Sequence, residues 1–164
     1  MGLVSHSAAS GFVLADASYF VALFNKREAG HVRCFEASER VFVPIATCEA
    51  CVSEALDLLN HSRPAVEAIL TNLRTGEIVI PFRISLSAQP VLDIMLKYAD
   101  TPCDLADACL IAIANDLGTG DILTLDSDFK HYRWRRNRRF NLLIPLDQNW
   151  MRPVSILRPG RART

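Results

Sequence analysis

Nothing in the chain approaches the roughly 20 consecutive apolar residues that a membrane-spanning helix needs. The opening residues, MGLVSHSAASGF, have neither a basic first region nor a long apolar stretch, so they do not read as a secretory signal. An excess of one charge is missing as well, since 18 basic and 18 acidic residues cancel. Zero net charge neither favours nor excludes a nucleic-acid partner. Distribution matters more, and the stretch after Phe129 is basic. Internal repeats and low-complexity segments are absent, and with 50% of its residues apolar the chain has an ordinary globular composition. The five cysteines, Cys34, Cys48, Cys51, Cys103 and Cys109, are odd in number and lie in or beside helical patterns. That fits reduced thiols in a cytoplasmic protein. Cys48 and Cys51 form a CxxC, but no second CxxC or nearby histidine pair completes a zinc set. They read as plain buried thiols.

What is present is an alternation of strand and helix signals. At 164 residues the chain suits one domain with its own core. Residues 11–15, GFVLA, are a short run without polar alternation, as in a strand buried on both faces of a parallel sheet. Asp16 or Ser18 can cap a helix over 19–25, and a second helix is expected over 28–38. A strand over 40–45 leads to Thr47, which can cap a helix over 48–60. Another helix follows over 64–74. Residues 77–80 are a third strand, ended by Pro81. Helices over 85–98 and 105–117 come next, the latter closed by Gly118 in the place of a C-terminal cap. A fourth strand covers 121–125, and a fifth, at an edge, covers 141–144. This order predicts an α/β fold, a three-layer α/β/α sandwich around a mostly parallel five-stranded sheet. Residues 1–10 are expected to be a flexible leader, 11–149 the folded body, and 150–164 a mobile tail carrying Arg152, Arg158, Arg161 and Arg163.

The stretch 101–129, TPCDLADACLIAIANDLGTGDILTLDSDF, carries acids in costly places. Asp107 has Leu110 and Ile111 at i+3 and i+4, so it lies on the helix side that faces the sheet. Asp104 stands one turn earlier. Asp126 is at the outlet of an apolar strand, as Asp16 is at the end of FVLAD. Ligands gather outside the carboxyl ends of strands in open α/β sheets, so both aspartates arrive at one rim. Glu54 interrupts the apolar stripe of TCEACVSEALDLL. Each acid has a plainer use: Asp16 as a helix cap, Glu54 turned to solvent, Asp104 as a helix-start charge, Asp126 and Asp128 as turn formers. Together on one rim, however, they repel and require a counter-ion. Oxygen ligands without histidine or cysteine select Mg²⁺ or Mn²⁺, whose natural use is phosphoryl or phosphodiester chemistry. Beyond the acids, Lys130, Arg133, Arg135, Arg136, Arg138 and Arg139 form a basic stretch interleaved with Tyr132 and Trp134. It suits phosphate contact and base stacking, or else a solvated hairpin with Trp134 packed on the body.

Four stretches in this order and spacing, VLADASYFVALFN, TCEACVSEALDLL, PCDLADACLIAIANDLG and ILTLDSDFKHYR, resemble the PIN-domain ribonucleases. They are most similar to the toxin half of bacterial VapBC toxin–antitoxin pairs. The resemblance implies metal-assisted RNA hydrolysis in which the family's four acids fall on Asp16, Glu54, Asp107 and Asp126. It adds Asp104 and Asp128 as further acids, and Ser18 and Thr124 as hydroxyls near the site. It also implies an RNA substrate and a cognate antitoxin that inserts a helix in an apolar groove and an arginine among the acids. The helix pair of residues 18–40 and 47–75 exposes enough aliphatic surface for that partner or for a homodimer. The leader and the arginine-bearing tail depart from compact family members. Two other classes compete. An aspartyl-phosphate phosphatase needs an aspartate two residues beyond Asp16, where this chain has Ser18. A non-catalytic RNA- or protein-binding module would not bind Mn²⁺.

Overall fold

The computed structural model describes residues 11–146, so the expected leader (1–10) and tail (150–164) lie outside the described residues. Five short strands form one parallel sheet: β1 Val13–Ala15, β2 Ile45–Ala46, β3 Ile78–Val79, β4 Asp121–Leu123 and β7 Asn141–Leu142, in the order β3-β2-β1-β4-β7. Leu14 pairs with Ala46 on one side and Ile122 on the other, and is fully buried. Helices α1 Ala17–Phe24, α2 His31–Ser38, α3 Glu49–Leu58 and α4 Arg63–Thr75 make the crossovers from β1 to β3. Helices α5 Ile84–Lys97 and α6 Leu105–Leu117 return the chain across the sheet to β4. The direction of travel reverses at β1, and right-handed crossovers therefore change face there. The α/β sandwich and the five-stranded parallel sheet are those expected, with the fifth strand at the edge.

Hydrogen bonding explains where elements are shorter than expected. The strand expected over 40–45 shrinks to Ile45–Ala46 because the backbone N–H groups of Arg40 and Val41 bond back to Ala37 and Ser38. Pro44 then has no N–H to offer a ladder, and Phe42 is 92% exposed. β4 stops at Leu123 because the next N–H groups turn to side chains: Leu125 donates to Ser18 and Asp126 to Thr124. The helix expected from residue 28 starts at His31, after turns at Glu28 and His31 close on Asn25 and Glu28. Thr47 does not cap α3. That place is Cys48's, and the Thr47 hydroxyl donates to the Ala15 carbonyl at 2.8 Å, tying β2 to β1. α5 bends at Ser87, near Pro90. The five cysteines are free thiols, as expected.

The basic stretch folds into a two-stranded antiparallel ribbon, β5 Arg133–Trp134 and β6 Arg138–Arg139. Trp134 is 7% exposed and packs its indole over Gly120 at the start of β4, where any Cβ would collide with the ring. Gly120→Ala is therefore expected to destabilise the fold by about 1–3 kcal/mol through overpacking. Thermal unfolding followed by Trp fluorescence checks this, and an unchanged Tm would contradict the packing.

Candidate active site

All five strands run the same way, so their carboxyl ends share one rim. β1 delivers Asp16 to it. A helix that precedes a strand in a parallel sheet runs against it, so α6 begins at this rim and brings Asp104 and Asp107. β4 ends there and leads to Asp126 through Thr124, and α3, which follows β2, contributes Glu54. The topology thus brings all four principal acids to one edge.

Asp16 is 7% exposed and caps α1. Its Oδ1 accepts the Ala17 N–H at 2.7 Å. Its Oδ2 accepts two hydroxyls, Ser18 at 2.8 Å and Thr124 at 3.1 Å. The backbone fixes how those hydroxyls point. Leu125 N–H donates to Ser18 Oγ, and Asp126 N–H donates to Thr124 Oγ1, so each hydroxyl directs its own proton to Asp16. The Ser18 and Thr124 positions are therefore built around the carboxylate from both strands of the β1–β4 pair, at their shared carboxyl end.

Asp107 is equally buried, on the first turn of α6. Its Oδ2 accepts the Tyr132 hydroxyl at 3.1 Å. Asp104 caps α6 by accepting the Asp107 N–H at 2.9 Å, so its expected use as a helix-start charge is realised beside the site. Asp126 caps the 3-10 turn Ser127–Lys130 and accepts the Asp128 N–H at 2.8 Å. Asp128 is half-buried on that turn. Glu54 is exposed, facing an open cleft that it shares with Asp57, Asp104 and Leu105.

These acids sense one another. Burial raises the Asp16 pKa, against the pull of its three hydrogen bonds, and Asp126 raises it further. Burial pushes Asp107 up to about 7, helped by the charges of Asp104 and Asp16. Glu54 is raised by partial burial and then by Asp16, Asp104 and Asp126. The ion pairs among the described residues, His61–Asp57 and Arg63–Glu67, involve none of them. The rim is therefore a set of mutually repelling carboxylates without an internal counter-charge.

Among the described residues, no three carboxylates, histidines or cysteines stand close enough together to hold an ion as the side chains lie. The acids repel across the rim without closing a ligand shell. That spacing still suits Mg²⁺, which keeps several waters and takes only one or two carboxylates directly. Asp107 fits best, because its Oδ1 takes no hydrogen bond from the described residues while Oδ2 is held.

Most of the basic stretch stands elsewhere, with Lys130 on the 3-10 turn that Asp126 caps. The ribbon tip lies at the far end of α6, where Arg135 bonds Asn115 through its N–H at 2.6 Å and its Nε at 3.1 Å. From Asp107 to Asn115 is eight residues, about 12 Å at the helical rise. The acids and the ribbon are neighbours in sequence but occupy opposite ends of a helix. Arg133 spends one guanidinium nitrogen on the carbonyls of Lys130, His131 and Tyr132. Arg135 and Arg138 lie over the Trp134 ring. Lys130, Arg136 and Arg139 are exposed. Base stacking by Tyr132 or Trp134 is excluded in this arrangement, as both rings are buried in the body. Sequence reasoning also missed the bond from Tyr132 to Asp107, a contact across 25 positions that no local pattern announces.

The raised Asp107 pKa has a consequence for stability. Between its ordinary value of 3.8 and about 7, the folded chain holds a proton that the unfolded chain has released. Stability of the metal-free protein is then lost as pH rises through this window. Asp107→Asn is expected to flatten that part of the profile, measured as Tm against pH in EDTA. An identical slope in wild type and variant would contradict the burial of an ionisable Asp107.

Comparison with known proteins agrees with this fold. The family model described as the PIN domain matches residues 13–135. No curated protein matches the chain. Among solved structures, Mycobacterium tuberculosis VapC20, a Sarcin-Ricin loop cleaving toxin, superposes with a TM-score of 0.64 at 21% identity, covering 73% of this chain and 93% of that one. With the family match spanning both buried aspartates and the rim they share, the chain belongs to the PIN domain family.

Proposed function

We propose that this protein is a divalent-metal-dependent ribonuclease and the toxin of a VapBC-type toxin–antitoxin pair. The observation that carries the reading is the pair Asp16 and Asp107, buried at one rim, pushed towards protonation, and without a basic partner among the described residues. Carboxylates are kept in such a place at a cost in stability, which a cation offsets when it binds. The likeness to a toxin that cleaves an RNA loop supports RNA as the substrate class.

Asp16 and Asp107 are the residues that would hold Mg²⁺ or Mn²⁺, with Glu54 and Asp126, both less buried, serving through water or at a second ion. Bound there, the ion supplies charge for the reacting phosphodiester and lowers the pKa of a coordinated water. Ser18 and Thr124 prevent Asp16 from turning away. Asp104 anchors the start of α6 and so sets the height of Asp107. Asp126 and Asp128 keep the 3-10 turn folded beside them. Phosphates of the RNA outside the rim are held by the exposed Lys130, Arg136 and Arg139, while Arg133, Arg135 and Arg138 shape the ribbon that presents them.

An antitoxin is accommodated by an apolar groove of about 520 Å³ between α1 and the end of α4, lined by Leu23, Phe24, Phe42 and Ile78 among others. Exposed leucines on α5, Leu86, Leu92 and Leu96, suit a homodimer. A toxin that acts on RNA works in the cytoplasm, and we assign the protein there. Among the described residues no helix is long and apolar enough to cross a membrane. The phosphatase alternative loses ground because the Ser18 hydroxyl, at the position a second aspartate would occupy, is committed to Asp16.

Asp16→Asn and Asp107→Asn are each expected to reduce RNA cleavage by about 100-fold or more while leaving the fold intact, since small misplacements in such a site already cost that much. EDTA should abolish wild-type cleavage and Mn²⁺ restore it. Wild-type rates in both variants would overturn the site, and a failure of wild-type protein to bind Mn²⁺ would favour a non-catalytic module. Replacing Arg136 and Arg139 by Ser should lower the salt slope of RNA binding by about 1 per arginine. A slope equal to that of wild type would remove the ribbon from the RNA surface.

A further inference from the structure

We infer that Tyr132 is a positioning residue for the metal site, holding the Asp107 carboxylate in place through its hydroxyl. The inference rests on the metal-site reading above and extends it to a residue on the ribbon side of the molecule. Tyr132 is 1% exposed, and its hydroxyl is the side-chain donor that reaches Asp107 among the described residues. The bond falls on Oδ2 alone, so Oδ1 stays free to face the rim.

The choice of donor is informative. A lysine or arginine in this position would hold the carboxylate equally well, but would neutralise it and compete with a cation. A tyrosine orients the group and leaves its negative charge available. That is the division of labour expected of a residue supporting a metal ligand from behind.

The ring is itself fixed. Tyr98 on its flank meets it edge-on, with centroids 5.1 Å apart at 64°, and Phe129 stands perpendicular at 5.2 Å and 87°. The Arg133 N–H donates to the Tyr98 hydroxyl at 2.9 Å, a bond that involves neither the Tyr132 hydroxyl nor Asp107. The hydroxyl therefore reaches Asp107 from a wall of three aromatic rings and not from a mobile loop. A plain core tyrosine would also satisfy its hydroxyl, and the two roles differ in what its loss does to the cation rather than to the fold.

Calorimetric or EPR titration of the full chain with Mn²⁺ separates them. Wild type, Tyr132→Phe and Tyr98→Phe are compared, each with its Tm. Phenylalanine keeps the ring packing in both variants, and only the first loses the bond to Asp107. The expected result is Mn²⁺ binding weakened by about 10-fold or more in Tyr132→Phe, with wild-type affinity in Tyr98→Phe. Equal Mn²⁺ affinity in wild type and Tyr132→Phe, alongside lost binding in Asp107→Asn, would overturn the positioning role and leave the metal site standing. Equal weakening in both tyrosine variants would reduce Tyr132 to a packing residue. No Mn²⁺ binding by wild type would overturn the metal site and this inference with it.

Discussion

Two aspartates buried at one rim, with no ion pair to a basic side chain among the described residues, set the terms for the rest of this structure. Burying a carboxylate is unfavourable, and burying two within range of each other is worse. The fold nevertheless commits local architecture to keeping them there. β4 gives up its ladder after Leu123 so that two backbone N–H groups can orient Ser18 and Thr124 towards Asp16. α6 starts on Asp104, which fixes the turn carrying Asp107. An arrangement that only stabilised the chain would pair these acids with arginine, which the sequence has in quantity. The arginine-rich ribbon instead places its tip at the far end of α6, where Arg135 bonds Asn115.

That separation shapes the functional picture. In the proposed function, a cation-binding rim and a basic ribbon about one helix apart would give an RNA two distinct contacts, one chemical and one electrostatic. The chain between them is short, and it runs through Tyr132, which touches Asp107, and Arg133, which bonds Tyr98. The ribbon is therefore anchored to the site by the same few residues that support Asp107. The exposed Arg136 and Arg139 of the ribbon, and Lys130 on the 3-10 turn before it, make no hydrogen bond through their side chains among the described residues.

Most of the fold was legible in the sequence because its signals are local and agree with one another. Apolar runs such as FVLA and DILTL carry no polar alternation, as doubly covered parallel strands do, and Gly118 closes α6 where expected, with φ of 71°. Asp16, Asp107 and Asp126 were readable because an acid at the end of an apolar strand or on the sheet-facing side of a helix breaks a pattern. Where sequence reasoning failed, the deciding interactions were nonlocal. Thr47 caps nothing because the Ala15 carbonyl, 32 positions away, takes its hydroxyl. Tyr132 looked like a stacking residue because its neighbours are basic, yet it is buried against Asp107, whereas Trp134 packed on the body of a hairpin is the alternative the sequence offered. Glu54 sits on the rim but in the open, since a helix stripe edge decides exposure by a fraction of a turn.

The central claim is that the rim acids exist to hold a divalent cation. The most direct measurement is a crystal soaked in MnCl₂ with data collected at an energy where manganese scatters anomalously. The account predicts an anomalous peak at the rim within ligand distance, about 2.0–2.2 Å allowing for manganese, of Asp107 or Asp16. A map with no peak at the rim, or with manganese only at surface acids elsewhere, would contradict it.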